Sequence, residues 1–257
     1  MSTAILTLSE IGAQVARKLA AALGGCTIHL HEGVVALDGE LAFRSVAART
    51  AELFTNTNNL VFIAPCGAVV RAIAPLVRSK LSDPAVVVLD VGARWAVSLL
   101  SGHEGGANDL ALAISNILGS EPVISTTTDA EKDLIVGIGC RRGTPADIIE
   151  AVIREGLAMA NADLAMVRYV ASAKIKSDET GLLEACARLG LPLRFIAEDA
   201  IRACTRDFKP SSFVTEKVNM PAVAEPAALL AGSRTSCILN KTIIKGTTIA
   251  IARENSW

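Results

Sequence analysis

The stretch Ala85-Val86-Val87-Val88-Leu89 carries no polar residue on either alternation. Successive strand side chains point to opposite faces, so this strand needs apolar cover on both. Burial on both faces is typical of a parallel strand in a sheet with helices packed on each side. The neighbouring sequence fits that demand. Ala4-Ile5-Leu6-Thr7 and Leu60-Val61-Phe62-Ile63 read as strands, and Trp95 to Leu100 as another. Between them, Ser9 is placed to cap a helix with Val15, Leu19, Ala22 and Leu23 on its apolar side. Ala68 to Arg78 looks helical, with Pro75 set to bend or end it. Gly106 to Leu118 is an alanine-rich helix stopped by Gly119.

Polar residues cluster from Thr126 to Asp133, and a new strand opens at Leu134-Ile135-Val136-Gly137-Ile138. The texture then repeats. Thr144 and Pro145 suit a helix start as cap and first-turn residue, and Ile148, Ile149, Val152 and Ile153 form its inner side. Val167 to Ala173, Leu193 to Ile196, Cys237 to Leu239 and Thr247 to Ala250 are strand candidates; Gly181 to Leu189 and Ala222 to Leu230 are helical. The fold class expected is therefore α/β, in two compact domains, residues 1–130 and 131–257. Each is expected to hold a mostly parallel sheet flanked by helices.

Composition narrows the function. With 257 residues and 51% hydrophobic content the chain can build two cores. Charge is balanced, 25 basic against 26 acidic residues, which argues against nucleic-acid or membrane-surface binding. Aromatic content of 4% leaves little for base stacking. No apolar run reaches the roughly 20 residues of a membrane span. Met1 to Leu8 lacks the pattern of a secretory signal, so a cytoplasmic location is expected. Cys26, Cys66, Cys140, Cys186, Cys204 and Cys237 are scattered without a CxxC pair, and most are expected to be small core residues. No metal site is expected, because His103 is far in sequence from His29 and His31.

Four clusters combine chemistry with backbone freedom. Ser98-Leu99-Leu100-Ser101-Gly102-His103-Glu104-Gly105-Gly106-Ala107-Asn108-Asp109 runs from a strand through glycines into a helix. Glycines let amides approach a ligand, and the helix start adds partial positive charge. The turn is a carboxylate or phosphate cradle or simply a tight connection; it has neither P-loop nor dinucleotide spacing. A histidine at the place of His103 can exchange protons near neutral pH, ligate a metal or hold the loop. Gly137-Ile138-Gly139-Cys140-Arg141-Arg142-Gly143-Thr144 repeats the logic with two arginine forks, which suit carboxylates. Cys140 reads as a turn or core residue before a nucleophile. In the third, Lys174 and Lys176 would share a strand face, while Asp178 and Glu179 suit a helix start. In the fourth, Glu225 lies just inside a helix and is either catalytic or a dipole partner.

These segments, in this order, resemble the CbiG-type cobalt-precorrin-5A hydrolases. The match runs through Phe62-Ile63-Ala64, Val70-Arg71-Ala72-Ile73-Ala74-Pro75, Lys80, Asp83 to Val88, Ser98 to Asp109 and Pro122 to Asp129. It resumes at Val136 to Gly143 and continues through Lys176 to Leu183, Leu189 to Phe195, Pro221 to Glu225 and Thr247 to Arg253. Family members commonly carry a middle region that is missing here, where Asp129 passes almost directly to Val136. The resemblance implies a carboxylate-rich cobalt corrinoid as substrate, opening of its δ-lactone, and loss of acetaldehyde in anaerobic cobalamin biosynthesis. It implies no cofactor, since the cobalt belongs to the substrate. On this reading His103 or Glu104 activates water, in a cleft between the domains. Arg71, Ser101, Gly102, Gly105, Gly106, Asn108, Gly139, Arg141, Arg142, Lys176 and Glu225 bind substrate. A homodimer and contact with neighbouring pathway enzymes are compatible partners. A non-catalytic corrinoid carrier is the alternative, since the second half resembles stand-alone proteins of the aerobic branch. A nucleotide-binding α/β protein is a third reading, weakened by the missing fingerprint.

Overall fold

A computed structural model describes residues 2–205 and 222–255, so Pro221 lies outside the described residues. It divides into two compact units, Met1–Thr126 and Thr127–Trp257.

The first unit is built on strands β1 (Thr3–Thr7), β2 (Cys26–His31), β3 (Leu41–Phe43), β4 (Asn59–Ile63), β5 (Ala85–Leu89), β6 (Trp95–Leu100) and β7 (Glu121–Val123). Their order in the sheet is β3-β2-β1-β4-β5-β6-β7. Helices α1 (Glu10–Leu23), α2 (Val46–Phe54), α3 (Cys66–Ile73) and α4 (Ala107–Leu118) connect them. Alternation explains the layering. Ile5, Val61, Ala85, Val87 and Leu89 share one cluster with Ala16 and Leu19 of α1 and Ala111 and Ile114 of α4. Leu6, Phe62, Val86 and Val88 share the opposite cluster with Phe54 of α2 and Val69 and Ile73 of α3. The unbroken apolar run of β5 is thus consumed on both faces. All pairings are parallel but one, β5 against β6.

Local expectations hold with adjustments. The Ser9 hydroxyl accepts from the Gly12 amide, capping α1. Its buried side is Gly12, Ala13, Ala16 and Leu19, and Ala22 is exposed while Leu23 packs at the edge of the core. The third helix ends at Ile73, two residues before Pro75. Gly119 terminates α4 with φ +81°.

The second unit contains β8 (Leu134–Gly139), β9 (Val167–Ala173), β10 (Leu193–Ile196), β11 (Thr235–Ile244) and β12 (Thr247–Glu254), in the order β10-β9-β8-β12-β11. Helices α5 (Thr127–Ala130), α6 (Ala146–Met159), α7 (Thr180–Leu189), α8 (Glu198–Arg202) and α9 (Ala224–Leu230) accompany it. The first sheet is mostly parallel; the second is evenly divided. There β10, β9 and β8 run parallel, while β12 and β11 form a closing antiparallel hairpin. Ile149, Val152 and Ile153 of α6 and Leu182 and Ala185 of α7 cover one face. On the other, α9 presses against β8 so closely that a Cβ on Gly137 would lie 1.9 Å from the Ala224 carbonyl oxygen. Pro145 takes the cap position of α6, and the Thr144 hydroxyl instead donates to the Arg141 carbonyl.

Two of the six cysteines, Cys140 and Cys186, are buried. The expectation that most are core residues is corrected: Cys66 is exposed, opening α3 after Pro65, and the other three are half-buried.

Candidate active site

The antiparallel step at β5 and β6 positions the first candidate site. Because β6 runs opposite to β5, its end at Leu100 pairs with Val86, near the start of β5. Strands β6 and β7 are parallel and joined by α4. Their carboxyl ends therefore share one edge, the usual ligand position of a βαβ unit. The glycine-rich turn 101–106 sits there.

Its base is tightly self-bonded. The Ser101 carbonyl accepts from the amides of Gly105, at 3.1 Å, and Ala107, at 3.2 Å. The Gly102 carbonyl accepts from the Asn108 amide at 3.0 Å. Ser101 is left-handed at φ +57° and buried. Its hydroxyl has no hydrogen-bond partner among the described residues. A Cβ on Gly105 would meet the Ser101 side chain at 2.5 Å, so only glycine closes this turn without a shift. Gly106, at φ +85°, caps α4. Gly102 is needed for closeness too: a Cβ there would lie 2.8 Å from the Asn108 oxygen.

The geometry gives several of the residues expected at the substrate structural partners of their own. Gly105 spends its amide on Ser101. Asn108 is buried, accepting from the Ser98 hydroxyl at 2.8 Å and donating to the Thr126 hydroxyl at 3.0 Å. It holds β6, α4 and the segment after β7 together. The Ser101 side chain is turned inward. What the turn displays outward is His103 and Glu104, both exposed. These two differ. The Glu104 carboxylate accepts from the Lys80 ammonium at 2.5 Å, which holds it below the usual carboxylate range. That makes it a weaker base. Lys80 lies in a turn closed by Asp83, whose carboxylate accepts from the amides of Arg78 and Ser79. Lys80 carries a role that residue type alone did not reveal. Arg71 is exposed in the last turn of α3 and donates to the Gly67 carbonyl one turn back.

The second unit holds a cationic turn at the carboxyl ends of β8 and β9. Cys140 to Thr144 connects β8 to α6. The chain after β9 forms a single 3-10 turn at Lys174–Lys176, then enters α7. Lys174 and Lys176 therefore do not share a strand face, because β9 ends at Ala173. Three ties join the two segments. Arg142 donates to both oxygens of Asp178, at 3.0 and 3.2 Å. The Gly143 amide donates to Glu179 at 2.6 Å. The α7 backbone at Gly181 approaches the Thr144 carbonyl so closely that a Cβ would lie 1.9 Å from it. Arg142 holds the Asp178 carboxyl below its ordinary range. Burial pushes the Cys140 thiol up, so it keeps its proton at neutral pH and is no activated nucleophile. Gly139 ends β8 with ordinary spacing to its neighbours. Glu225, expected at the substrate, is 2% exposed and accepts from the Lys241 amide at 2.9 Å, anchoring the irregular stretch of β11. Among the described residues, no three His, Cys, Asp or Glu side chains gather as a metal set. No helix among them is long and apolar enough to cross a membrane.

Both turns fall within matches to known families. Residues 48–129 match the cobalamin synthesis G N-terminal family, and residues 134–252 match the cobalamin synthesis G C-terminus family. The chain belongs to the CbiG family. Among CbiG relatives, a cobalt-precorrin-5A hydrolase of Salmonella typhimurium is 27% identical over 325 aligned positions, covering 89% of this chain and 91% of the relative. A cobalt-precorrin-5A hydrolase of Priestia megaterium is 25% identical, covering 81% and 82%. Protein CobE of a Sinorhizobium species is 33% identical over 128 positions, 49% of this chain and 83% of CobE. A crystal structure of CobE, from the cobalamin (vitamin B12) biosynthetic pathway, is 32% identical over 48% of this chain and 90% of its own, with a TM-score of 0.44. In this CbiG chain only residues 130–133 separate the two family matches. The Salmonella alignment runs over 325 positions while covering 89% of the 257 residues here, so many of its positions have no counterpart in this chain. That fits the absence of a middle region.

Proposed function

We propose that this chain is a cobalt-precorrin-5A hydrolase, opening the δ-lactone of its substrate and releasing acetaldehyde to give cobalt-precorrin-5B. The observation that carries this reading is two-sided coverage. The relatives bearing that name align over 91% and 82% of their own lengths, across both units. The chemistry of the turns supports it. A macrocycle rich in carboxylates suits the cationic turn at Arg141, Arg142 and Lys176, with Arg71 as a further exposed cation. His103, displayed on a rigid glycine base, takes a proton from water as the oxygen adds to the lactone carbonyl. The tetrahedral oxyanion is met by the amide edge of the turn at Gly106, with Gly102 shaping the approach. The ring C–O bond breaks, leaving a carboxylate and a hydroxyl on the methyl-bearing carbon. That hydroxyl loses its proton, the adjoining C–C bond breaks, and acetaldehyde departs. The electron pair stays on the cobalt corrinoid, whose metal belongs to the substrate. Glu104, held by Lys80, orients the turn.

A non-catalytic corrinoid carrier is the second reading, favoured by the 33% identity of 49% of this chain to Protein CobE. The first unit, with its His103 turn, speaks for the enzyme. Anaerobic incubation of purified protein with cobalt-precorrin-5A separates them. The enzyme yields free acetaldehyde and a corrinoid that has gained water and lost acetaldehyde. Recovery of bound, unaltered substrate would instead establish the carrier.

A further inference from the structure

Glu179 is 2% exposed and occupies the cap position of α7 without capping it, since its side chain makes no cap hydrogen bond. One carboxylate oxygen accepts from the Gly143 amide at 2.6 Å. The other is buried, accepts no hydrogen bond among the described residues, and has the Lys176 ammonium 3.8 Å away. A buried carboxylate is costly unless paired, and one backbone donor does not satisfy two oxygens. At 3.8 Å the ammonium is beyond normal hydrogen-bond length, so its donors are not consumed by the pair. The Lys176 side chain is 19% exposed and so keeps some contact with solvent. Glu179 and Lys176 also act on the Cys140 thiol in opposite directions, which places all three in one cluster. Simple helix capping would have turned the carboxylate to α7; here it is turned to the cationic turn.

We propose that Glu179 is a positioning residue: it fixes the Gly143 amide and holds the Lys176 ammonium beside the turn that carries Arg141 and Arg142, so that Lys176 binds a carboxylate of the corrinoid there. This rests on the corrinoid reading above and adds a residue outside the cations themselves. An arriving carboxylate takes hydrogen bonds from Lys176 while Glu179 keeps the ammonium from swinging into solvent.

The test is a double-mutant cycle of E179Q and K176M in the full chain. It reads KM and kcat by acetaldehyde release and Kd by titration with cobalt-precorrin-5A. Glutamine keeps an acceptor for Gly143 and removes the charge. E179Q is expected to raise KM and Kd about tenfold with kcat within about twofold, K176M to do the same, and the double variant to be no worse than either. Unchanged KM and Kd in E179Q, or multiplying effects in the double variant, would overturn the proposal. Should E179Q fail to fold, E179D reads the same coupling: its shorter carboxylate raises KM, and K176M adds nothing to it. Wild-type KM in E179D overturns it. If wild type turns over and E179Q matches it, this inference alone fails. If wild type binds without turnover, the Kd cycle decides it. If wild type neither binds nor reacts, the proposed function fails and this inference with it.

Discussion

His103 and Glu104 are chain neighbours with different chemistry. The Lys80 ammonium lowers the Glu104 carboxyl, so Glu104 is a poor proton acceptor and a good tether. Residue type pointed to both; only the packing of the 78–83 turn separates them. Glu225 and Asn108 were legible as polar groups near turns, but their partners, Lys241 and the Ser98–Thr126 pair, are distant in sequence and follow from tertiary structure. Glu179 was legible as a helix-start acid, and its burial was not. His29, a residue outside both sites, offers a prediction of its own. It is buried on β2, its Nδ1 has no hydrogen-bond partner among the described residues, and burial pushes its pKa from 6.5 down to about 4 with help from Arg49. The unfolded chain therefore binds the proton more tightly. Stability is full above the ordinary value of 6.5 and is lost as pH falls toward 4. The loss is about 3 kcal/mol at most. Urea unfolding between about pH 7 and pH 5 should show a steeper decline in wild type than in His29→Leu. Parallel declines would rule out this role for His29.

At the scale of elements, strands with strong β-branched runs and helices with clear stops were readable: β4, β5, β8, β9, α4 and α6 all lie where the pattern places them. Elements with weak periodicity were not, notably β2, β3, α2 and the three-residue β7. The antiparallel hairpin of β11 and β12 was also seen only in fragments, because β11 alternates partly exposed positions with a register irregularity. The glycines of β8 carry a further lesson. Gly137, inside the expected strand, is the seat of α9. Gly137→Ala should destabilise the protein by about 3 kcal/mol, the upper range of overpacking. Gly139→Ala, whose Cβ would find its nearest neighbour at 3.5 Å, should change stability by less than about 0.5 kcal/mol. Thermal or urea melts of the pair check this. Equal stabilities would mean that α9 does not rest on Gly137.

At the scale of the molecule, two α/β units each present a glycine-rich turn where strands end and a helix begins. The first displays a histidine; the second gathers cations around a buried carboxylate. The family match spans both, and the shared order of motifs was readable because each motif is a short local segment. The consequence of joining the halves through residues 130–133 was not, because it concerns what relatives carry and this chain lacks. On the proposed function, lactone opening is a multiple-turnover reaction that depends on His103. The most direct measurement counts acetaldehyde released per protein molecule from excess cobalt-precorrin-5A, for wild type and His103→Ala. Wild type should release many equivalents and His103→Ala almost none, with little change in its melting curve. One equivalent or less from wild type, or near-native release from His103→Ala, would contradict this expectation.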